Sequence, residues 1–522
     1  MKKNTFKNIV LICVLFAGSC KQETINLQPQ PTGPVDNSCA TATAGSAVFT
    51  KFVAIGSSYT AGFQAGALFT DGQNNSLPAI LNKQFQCVGA PATFNQPTIN
   101  STLGYNIFVS PNPGANGHVL GRMLLQGASP VPTPQPYAVG DLSAVPNPQL
   151  NPGFIYAGTS ATLNNFGVEA ITLGQYLIPN TGKWADPNPA HGFSPFYARF
   201  ASDHGAGGST IIGDAALAGG SFFMFWGGMD DFMLYAANGG DASKAPLTTV
   251  ANFGLRYGGA IATLLGSNPS LKGVVVNFPD IFVMPHFTSV PWNAIAFTSS
   301  ATDKANMTGA NTAYAAYNGG LDFVFSKGGI SATERDQRKI NFALGGNGIV
   351  IEDKTLTNLS GFGLPSIRQA TSADIFPLGA GSVLGTEATP NDPTTTWGVG
   401  KALTDQYVLI PSEIDSINFA RTAFNATVAT TVTTYSSKLA LADVNTSMNL
   451  FVTAHAAVLN GVTITPNINP PTGIYSEDGL HPNSRGYAYI STIIISAINA
   501  KFGSTIPPTN IAQYSATGLP IP

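Results

Sequence analysis

Two short segments near opposite ends of the chain contain the residue types that serine-dependent acyl transfer requires. Residues 55–62 read Ile-Gly-Ser-Ser-Tyr-Thr-Ala-Gly, and residues 478–482 read Asp-Gly-Leu-His-Pro. A serine hydroxyl becomes a nucleophile when a histidine takes its proton and a carboxylate orients that histidine. We therefore expect Ser58 to attack an acyl carbonyl, His481 to act as general base and Asp478 to hold the imidazole.

The residues before Ser58 predict a strand that ends in a tight turn. The run from Val48 to Ile55 is β-branched and aromatic, which is typical of a buried strand. Gly56 and Gly62 permit a sharp turn with close backbone approach. Ser58 would then lie at the carboxyl end of the strand, where parallel α/β sheets bind their ligands.

The rest of the chain alternates short apolar runs with helical patterns, which favours an α/β fold with a central parallel sheet. Further strands are predicted at residues 162–168, 220–226, 271–278 and 439–444. Helices are predicted at residues 251–265 and 412–438, and a last one begins after Asn483 and ends at Gly503. One apolar face of this last helix is formed by Tyr487, Ile490, Ile494 and Ile498.

The N-terminal residues predict export. Residues 1–19 combine three lysines with a short apolar stretch from Ile9 to Ala17, as a signal peptide does. The small residues before Cys20 resemble a bacterial lipobox, which implies cleavage before Cys20 and lipidation of its thiol. Residues 20–46 are then a lipidated tether. This interpretation predicts a lipid-anchored protein of a bacterial cell envelope, in the outer membrane; an ordinary signal peptide cut nearby is the alternative.

The composition of the chain limits its possible ligands and its domain organisation. Charged residues make up only 10% and the net charge is −3, so nothing attracts nucleic acid. Many of the 56 Gly and 37 Pro fall in two predicted loop insertions, near residues 100–153 and 340–403. They interrupt a catalytic domain at residues 47–503, and residues 504–522 form a tail. No Cys/His spacing predicts a metal site, no cofactor is expected, and Cys39 and Cys87 either form a disulfide or remain free.

Three segments together resemble the GDSL lipolytic enzymes, or SGNH hydrolases. They are Gly-Ser-Ser-Tyr-Thr-Ala-Gly at residues 56–62, Trp-Gly-Gly-Met-Asp-Asp at 226–231, and Asp-Gly-Leu-His-Pro at 478–482 with Gly486. The resemblance implies a flavodoxin-like three-layer α/β/α sandwich with a central parallel sheet and long loop insertions. It also implies an esterase or lipase that uses Ser58, Asp478 and His481, forms an acyl-enzyme and acts on lipid or acylated-glycan esters.

The resemblance further implies an oxyanion hole, made by the backbone N–H of Ser58, a second-block glycine N–H and a third-block asparagine. The second block is read as residues 165–170. The glycine position then falls on Ala170, with Gly167 as the alternative. The asparagine position falls on Asp230.

Three departures from the family pattern affect catalysis, and the first, Ala170 at the glycine position, is mild because alanine still offers an N–H. An ionised Asp230 can only accept hydrogen bonds and would repel an oxyanion, whereas a protonated one, favoured by burial beside Asp231, could donate. Ser57 replaces the aspartate of the family's Gly-Asp-Ser. Because losing one oxyanion donor costs on the order of 10²–10³ in rate, a catalytically weak surface lipoprotein that binds esters without turnover is the alternative function.

Overall fold

The computed structural model describes residues 39–104, 121–126, 131–134 and 155–517. The described residues form two compact units. The first, here called the sheet unit, comprises the described residues between 39 and 233, residues 248–285 and residues 419–517. The second unit comprises residues 234–247 and 286–418 and so includes the predicted insertion at 340–403. The signal peptide, Cys20 and most of the predicted insertion near 100–153 lie outside the described residues.

A five-stranded parallel sheet forms the centre of the sheet unit. Its strands are numbered along the chain as β1 (Phe52–Gly56), β2 (Asn165–Gly167), β3 (Phe222–Trp226), β4 (Lys272–Val276) and β5 (Leu439–Ala442). Their order across the sheet is β5-β4-β3-β1-β2, and every neighbouring pair is parallel. All residues of β1 and β3 are buried, as expected for strands covered on both faces. The predicted α/β fold with a central parallel sheet is confirmed, and it is compatible with a three-layer α/β/α sandwich.

The α-helices of the sheet unit lie between and after these strands. Three matter for the site: α1 (Ser58–Ala61), α2 (Asp230–Ala237, whose first residues belong to this unit) and α3 (Ser484–Phe502). The others are Thr70–Asn74, Leu77–Phe85, Leu173–Tyr176, Pro195–Ala198, Ile211–Leu217, Val250–Ser267, Val444–Ala454 and, from residue 419 onward, Pro411–Thr434. Two antiparallel ribbons, Met123–Gln126 with Val131–Pro134 and Ala457–Leu459 with Val462–Ile464, complete the unit.

The first strand is shorter than its apolar run predicted. Strand β1 begins at Phe52, which pairs with Phe222, the first residue of β3. Val48 is 52% exposed, while Phe49 packs against the rings of Phe85 and Phe222 at centroid distances of 4.6 Å. Phe49 therefore contributes to packing and not to the sheet, since β3 begins at the partner of Phe52 and pairs with no earlier residue.

The second unit has its own apolar core. Its helices are Ala301–Ser326, Ala332–Arg338 and Ala380–Val383, with Pro285–Thr288 at its start. Its strands pair as two antiparallel ribbons, Ile295–Phe297 with Gly345–Asn347 and Val350–Glu352 with Ile367–Gln369. Tyr314, Tyr317, Leu321 and Val324 from the long helix join this core.

A disulfide joins Cys39 to Cys87, with 4.7 Å between their α-carbons. The bridge links the start of the described chain to the turn that follows helix Leu77–Phe85. Of the two states left open by the sequence, the structure contains the oxidised one.

Candidate active site

Ser58 occupies a tight turn between strand β1 and helix α1. The turn requires Gly56, because a Cβ there would lie 2.0 Å from Thr60 Oγ1 and 2.8 Å from the carbonyl oxygen of Trp226. Gly62 ends α1 with a φ of 85°, which glycine adopts without strain. The predicted strand-to-helix turn is confirmed, and it holds Ser58 buried at the carboxyl end of a central strand.

The loop before helix α3 brings Asp478 and His481 side by side. The two side chains are hydrogen-bonded, with 2.9 Å between His481 Nδ1 and Asp478 Oδ2. The backbone N–H groups of Leu480 and His481 each donate to Asp478 Oδ1 at 2.8 Å. From far along the chain, the N–H of Gly66 donates to Asp478 Oδ2 at 2.8 Å. Asp478 is therefore fixed by its own loop and by the segment after α1.

These contacts set the protonation of the pair. Burial alone would raise the pKa of Asp478, but the charge of His481 and the hydrogen bonds from His481 and Leu480 hold that pKa at about 2. An ionised carboxylate can only accept, so His481 Nδ1 carries a hydrogen, and Nε2 is the nitrogen that accepts a proton when the imidazole acts as a base. Nε2 is buried and has no hydrogen-bond partner in the described part of the chain.

Aromatic contacts join this loop to the helix that carries Ser58. The ring of Tyr59 lies 5.4 Å from the imidazole of His481, and the Tyr59 hydroxyl donates to the carbonyl of Leu480 at 2.6 Å. The ring of Phe63 lies 4.8 Å from the same imidazole. Ser58 and His481 thus belong to packed neighbours, although no hydrogen bond joins Ser58 Oγ to Nε2 in this state. Catalytic hydrogen bonds of this kind often tighten only when substrate binds.

The loop after β2 supplies a backbone donor to the serine. The N–H of Ala170 donates to Ser58 Oγ at 3.2 Å, and Ala170 has a φ of 48°, a conformation that favours glycine. The N–H of Gly167 instead donates to Asn165 Oδ1 at 2.9 Å. A Cβ on Gly167 would lie 2.3 Å from the backbone nitrogen of Ala61, so close packing explains this glycine. Of the two predicted positions, the structure brings Ala170 to Ser58 and does not bring Gly167.

Asp230 and Asp231 begin helix α2, just after the carboxyl end of β3. Asp230 Oδ2 accepts from the N–H of Ile171 at 3.3 Å, while its Oδ1 is buried with no hydrogen-bond partner among the described residues. Both oxygens of Asp231 are bonded, one by the N–H of Leu173 and the other by the hydroxyl of Thr248, each at 2.7 Å. The neighbouring carboxyls therefore differ: each oxygen of Asp231 accepts a hydrogen bond, whereas Oδ1 of Asp230 accepts none, although the hydroxyl of Ser57 is near enough to favour the ionised form of Asp230.

The pKa values of these carboxyls are raised. Burial is the main cause for Asp230, whose pKa is about 7; the negative charge of Asp231 raises it further, while Ser57, His481 and the Ile171 N–H lower it. Burial also raises the pKa of Asp231 to about 6, against the hydrogen bonds that it accepts. Near neutral pH a substantial share of Asp230 is therefore protonated.

Glu169 is a fourth buried carboxyl of the site, and sequence reasoning did not identify it. Burial raises its pKa to about 8, and the charge of Asp230 adds to this while Arg199 opposes it. Its Oε1 has no hydrogen-bond partner within the described ranges. Glu169 directly precedes Ala170 in the second block, but no local pattern distinguishes a buried glutamate from one in a solvated loop.

No family model, curated protein or solved structure matches this chain. In the described part of the chain, no three His, Cys, Asp or Glu side chains are grouped so that they could hold a metal ion. Among the described helices, none combines the length and apolar character needed to cross a membrane.

Proposed function

We propose that this chain is a serine-dependent carboxylic-ester hydrolase that works through an acyl-enzyme. One observation carries the proposal: the buried Ser58 directly precedes Tyr59, whose ring packs against a histidine that an ionised aspartate orients, and Nε2 of this histidine has no hydrogen-bond partner in the described part of the chain. The loops that follow β1, β2 and β3 converge there, because adjacent parallel strands end at the same edge of the sheet.

The reaction follows from these positions. Ser58 Oγ attacks the ester carbonyl while His481 Nε2 takes its proton, and the negative charge of the intermediate develops on the former carbonyl oxygen. We assign the stabilisation of that oxygen to the N–H groups of Ser58 and Ala170, of which the second donates to Ser58 Oγ in this structure. His481 then protonates the leaving alcohol, and water repeats the sequence on the acyl-enzyme to release the acid. Asp478 keeps the imidazole in the required tautomer throughout.

The strand order supports a more specific fold proposal. Read from the other edge, the sheet runs β2-β1-β3-β4-β5, which is the order of flavodoxin-like sheets. Together with the three sequence blocks, this order favours an SGNH-type sandwich for the sheet unit. The second unit is then an addition to the minimal fold.

Substrate class and location are part of the same proposal. A lipid anchor at Cys20 would hold the enzyme at the outer membrane of a bacterium, where lipid and acylated-glycan esters are the accessible substrates. Mass spectrometry of the mature protein should find an acylated N-terminal Cys20, and Cys20→Ser should abolish the acyl groups. A mature N-terminus elsewhere, without acyl groups, contradicts the anchor but leaves the hydrolase proposal intact.

A catalytically weak binding protein is the second candidate. Asp230 at the asparagine position and the missing Ser58–His481 hydrogen bond favour it. Hydrolysis of short-chain p-nitrophenyl esters separates the two. The wild type should hydrolyse them and Ser58→Ala should not, while Ser57→Ala, one residue earlier, should retain measurable activity. Equal rates for the wild type and Ser58→Ala would reject the hydrolase.

A further inference from the structure

The carboxyl group of Asp230 lies beside the reacting serine with one oxygen unused. The consecutive N–H groups of Ala170 and Ile171 donate to Ser58 Oγ at 3.2 Å and to Asp230 Oδ2 at 3.3 Å, respectively. The two acceptors are therefore neighbours on one turn of backbone. Asp230 is only 2% exposed, and its Oδ1 has no hydrogen-bond partner in the described part of the chain.

Besides Glu169 Oε1, two buried atoms of this site have no hydrogen-bond partner in the described part of the chain: Asp230 Oδ1 and His481 Nε2. A buried polar atom without a partner costs free energy, so such atoms call for an explanation. Acyl transfer supplies one for each: Nε2 accepts the serine proton, and Oδ1 meets the oxygen on which charge develops. The second role requires a hydrogen on Oδ1, because a carboxylate only accepts.

The surroundings of Asp230 hold its two protonation states in balance. Burial and the charge of Asp231 favour the neutral acid, whereas Ser57, His481 and the Ile171 N–H favour the ionised form. Other titratable groups that interact with Asp230 are Glu169, Tyr59 and Tyr176. The neutral acid therefore persists to a pH at which an exposed aspartate is fully ionised.

We propose that Asp230 is a catalytic residue that acts as a neutral carboxylic acid, donating its Oδ1 hydrogen to the oxyanion. The inference rests on the proposed ester hydrolysis and adds a regulation by pH. The proton stays on Asp230 throughout, so His481 remains the general acid that protonates the leaving alcohol. Ionisation of Asp230 removes the donor and places a negative charge against the developing oxyanion.

The pH dependence of kcat/KM for p-nitrophenyl butyrate, followed at the isosbestic wavelength of the product, tests this proposal. Wild-type kcat/KM should fall about tenfold per pH unit above pH ~7, as one ionisation abolishes activity. Asp230→Asn keeps the shape and a permanent donor, so it should lack the falling limb and exceed wild type at least tenfold at pH 8. Asp230→Ala should be slow at every pH.

Conservative substitutions at two neighbouring residues provide matched controls. Their results do not depend on how well the Asp230 variants fold. Ser57→Ala removes a group that favours ionised Asp230, so the falling limb should move to higher pH. Asp231→Asn removes a charge that favours neutral Asp230, so the limb should move to lower pH. Shifts of the falling limb in opposite directions in these two variants support the proposal. A falling limb that stays at the same pH in both variants overturns it. A limb that disappears in Glu169→Gln would assign the ionisation to Glu169 and also overturn it.

Failure of this inference is distinguishable from failure of the proposed function. A fluorophosphonate probe at pH 6 reports whether Ser58 is nucleophilic, whatever the state of Asp230 at higher pH. Labelled wild type whose falling limb persists in Asp230→Asn would overturn the role of Asp230 alone. Absence of labelling and of ester hydrolysis would overturn the hydrolase and this inference with it.

Discussion

Replacing Asp230 with asparagine should make the stability of the protein less dependent on pH. A raised pKa means that the folded state binds this proton more tightly than the unfolded chain does. Between the ordinary pKa of 3.8 and the folded value of about 7, the folded state therefore holds more protons, and the free energy of unfolding falls as pH rises. Asparagine does not titrate, so this contribution to the decrease in the free energy of unfolding is absent from the variant.

The size of the effect follows from the two pKa values. At 1.36 kcal/mol per pH unit, a rise from 3.8 to about 7 corresponds to about 4 kcal/mol once Asp230 is fully ionised. About 2–3 kcal/mol of that cost accumulates between pH 5 and pH 8. The stability of Asp230→Asn relative to wild type should therefore increase by about 2–3 kcal/mol across this range.

Urea unfolding at pH 5, 6, 7 and 8 measures the difference. Asp203→Asn is the control, because Asp203 is an exposed residue of the same unit whose Oδ1 accepts a hydrogen bond from Gly205 N–H, as an amide oxygen also can. A pH-dependent gain in Asp230→Asn that exceeds any change in Asp203→Asn supports the raised pKa of Asp230. Parallel stability profiles for Asp230→Asn and wild type would refute the raised pKa and, with it, the neutral acid.

Two further predictions concern the aspartate of the catalytic pair and the disulfide. Asp478→Asn should lower kcat/KM by about 10³–10⁴, because an amide can support the wrong imidazole tautomer, while circular dichroism remains unchanged; near-wild-type kinetics would contradict the assigned role. Replacing Cys39 and Cys87 with serine should lower the free energy of unfolding by about 2–4 kcal/mol, measured by urea unfolding, and an unchanged midpoint would contradict the stabilising bridge.

Elements with strong local signals were predictable from the sequence. Helix α3 begins after its predicted cap, since Asn483 accepts from the N–H of Gly486, and it ends at Gly503 with a φ of 66°. The helix predicted at 251–265 is confirmed within Val250–Ser267. The helix predicted at 412–438 ends earlier, at Thr434, because residues 435–438 form the turn that leads into β5. Propensity alone does not locate such a turn.

Contacts within the site were predictable from the sequence only where the two residues are close together along the chain. Asp478 and His481 are three residues apart, so their contact follows from spacing. Gly66 reaches Asp478 across 412 residues, and the contact between Ala170 and Ser58 spans 112. Spacing carries no information on such contacts, and the burial of Glu169 depends on the same tertiary packing.

The most direct test of the central claim is covalent labelling of Ser58. A fluorophosphonate probe should label the wild type, and mass spectrometry of the digested protein should find one adduct, on Ser58. Ser58→Ala should abolish labelling, whereas Ser57→Ala should retain it. An unlabelled wild type, or an adduct that survives in Ser58→Ala and disappears in Ser57→Ala, would contradict the assignment of Ser58 as the nucleophile.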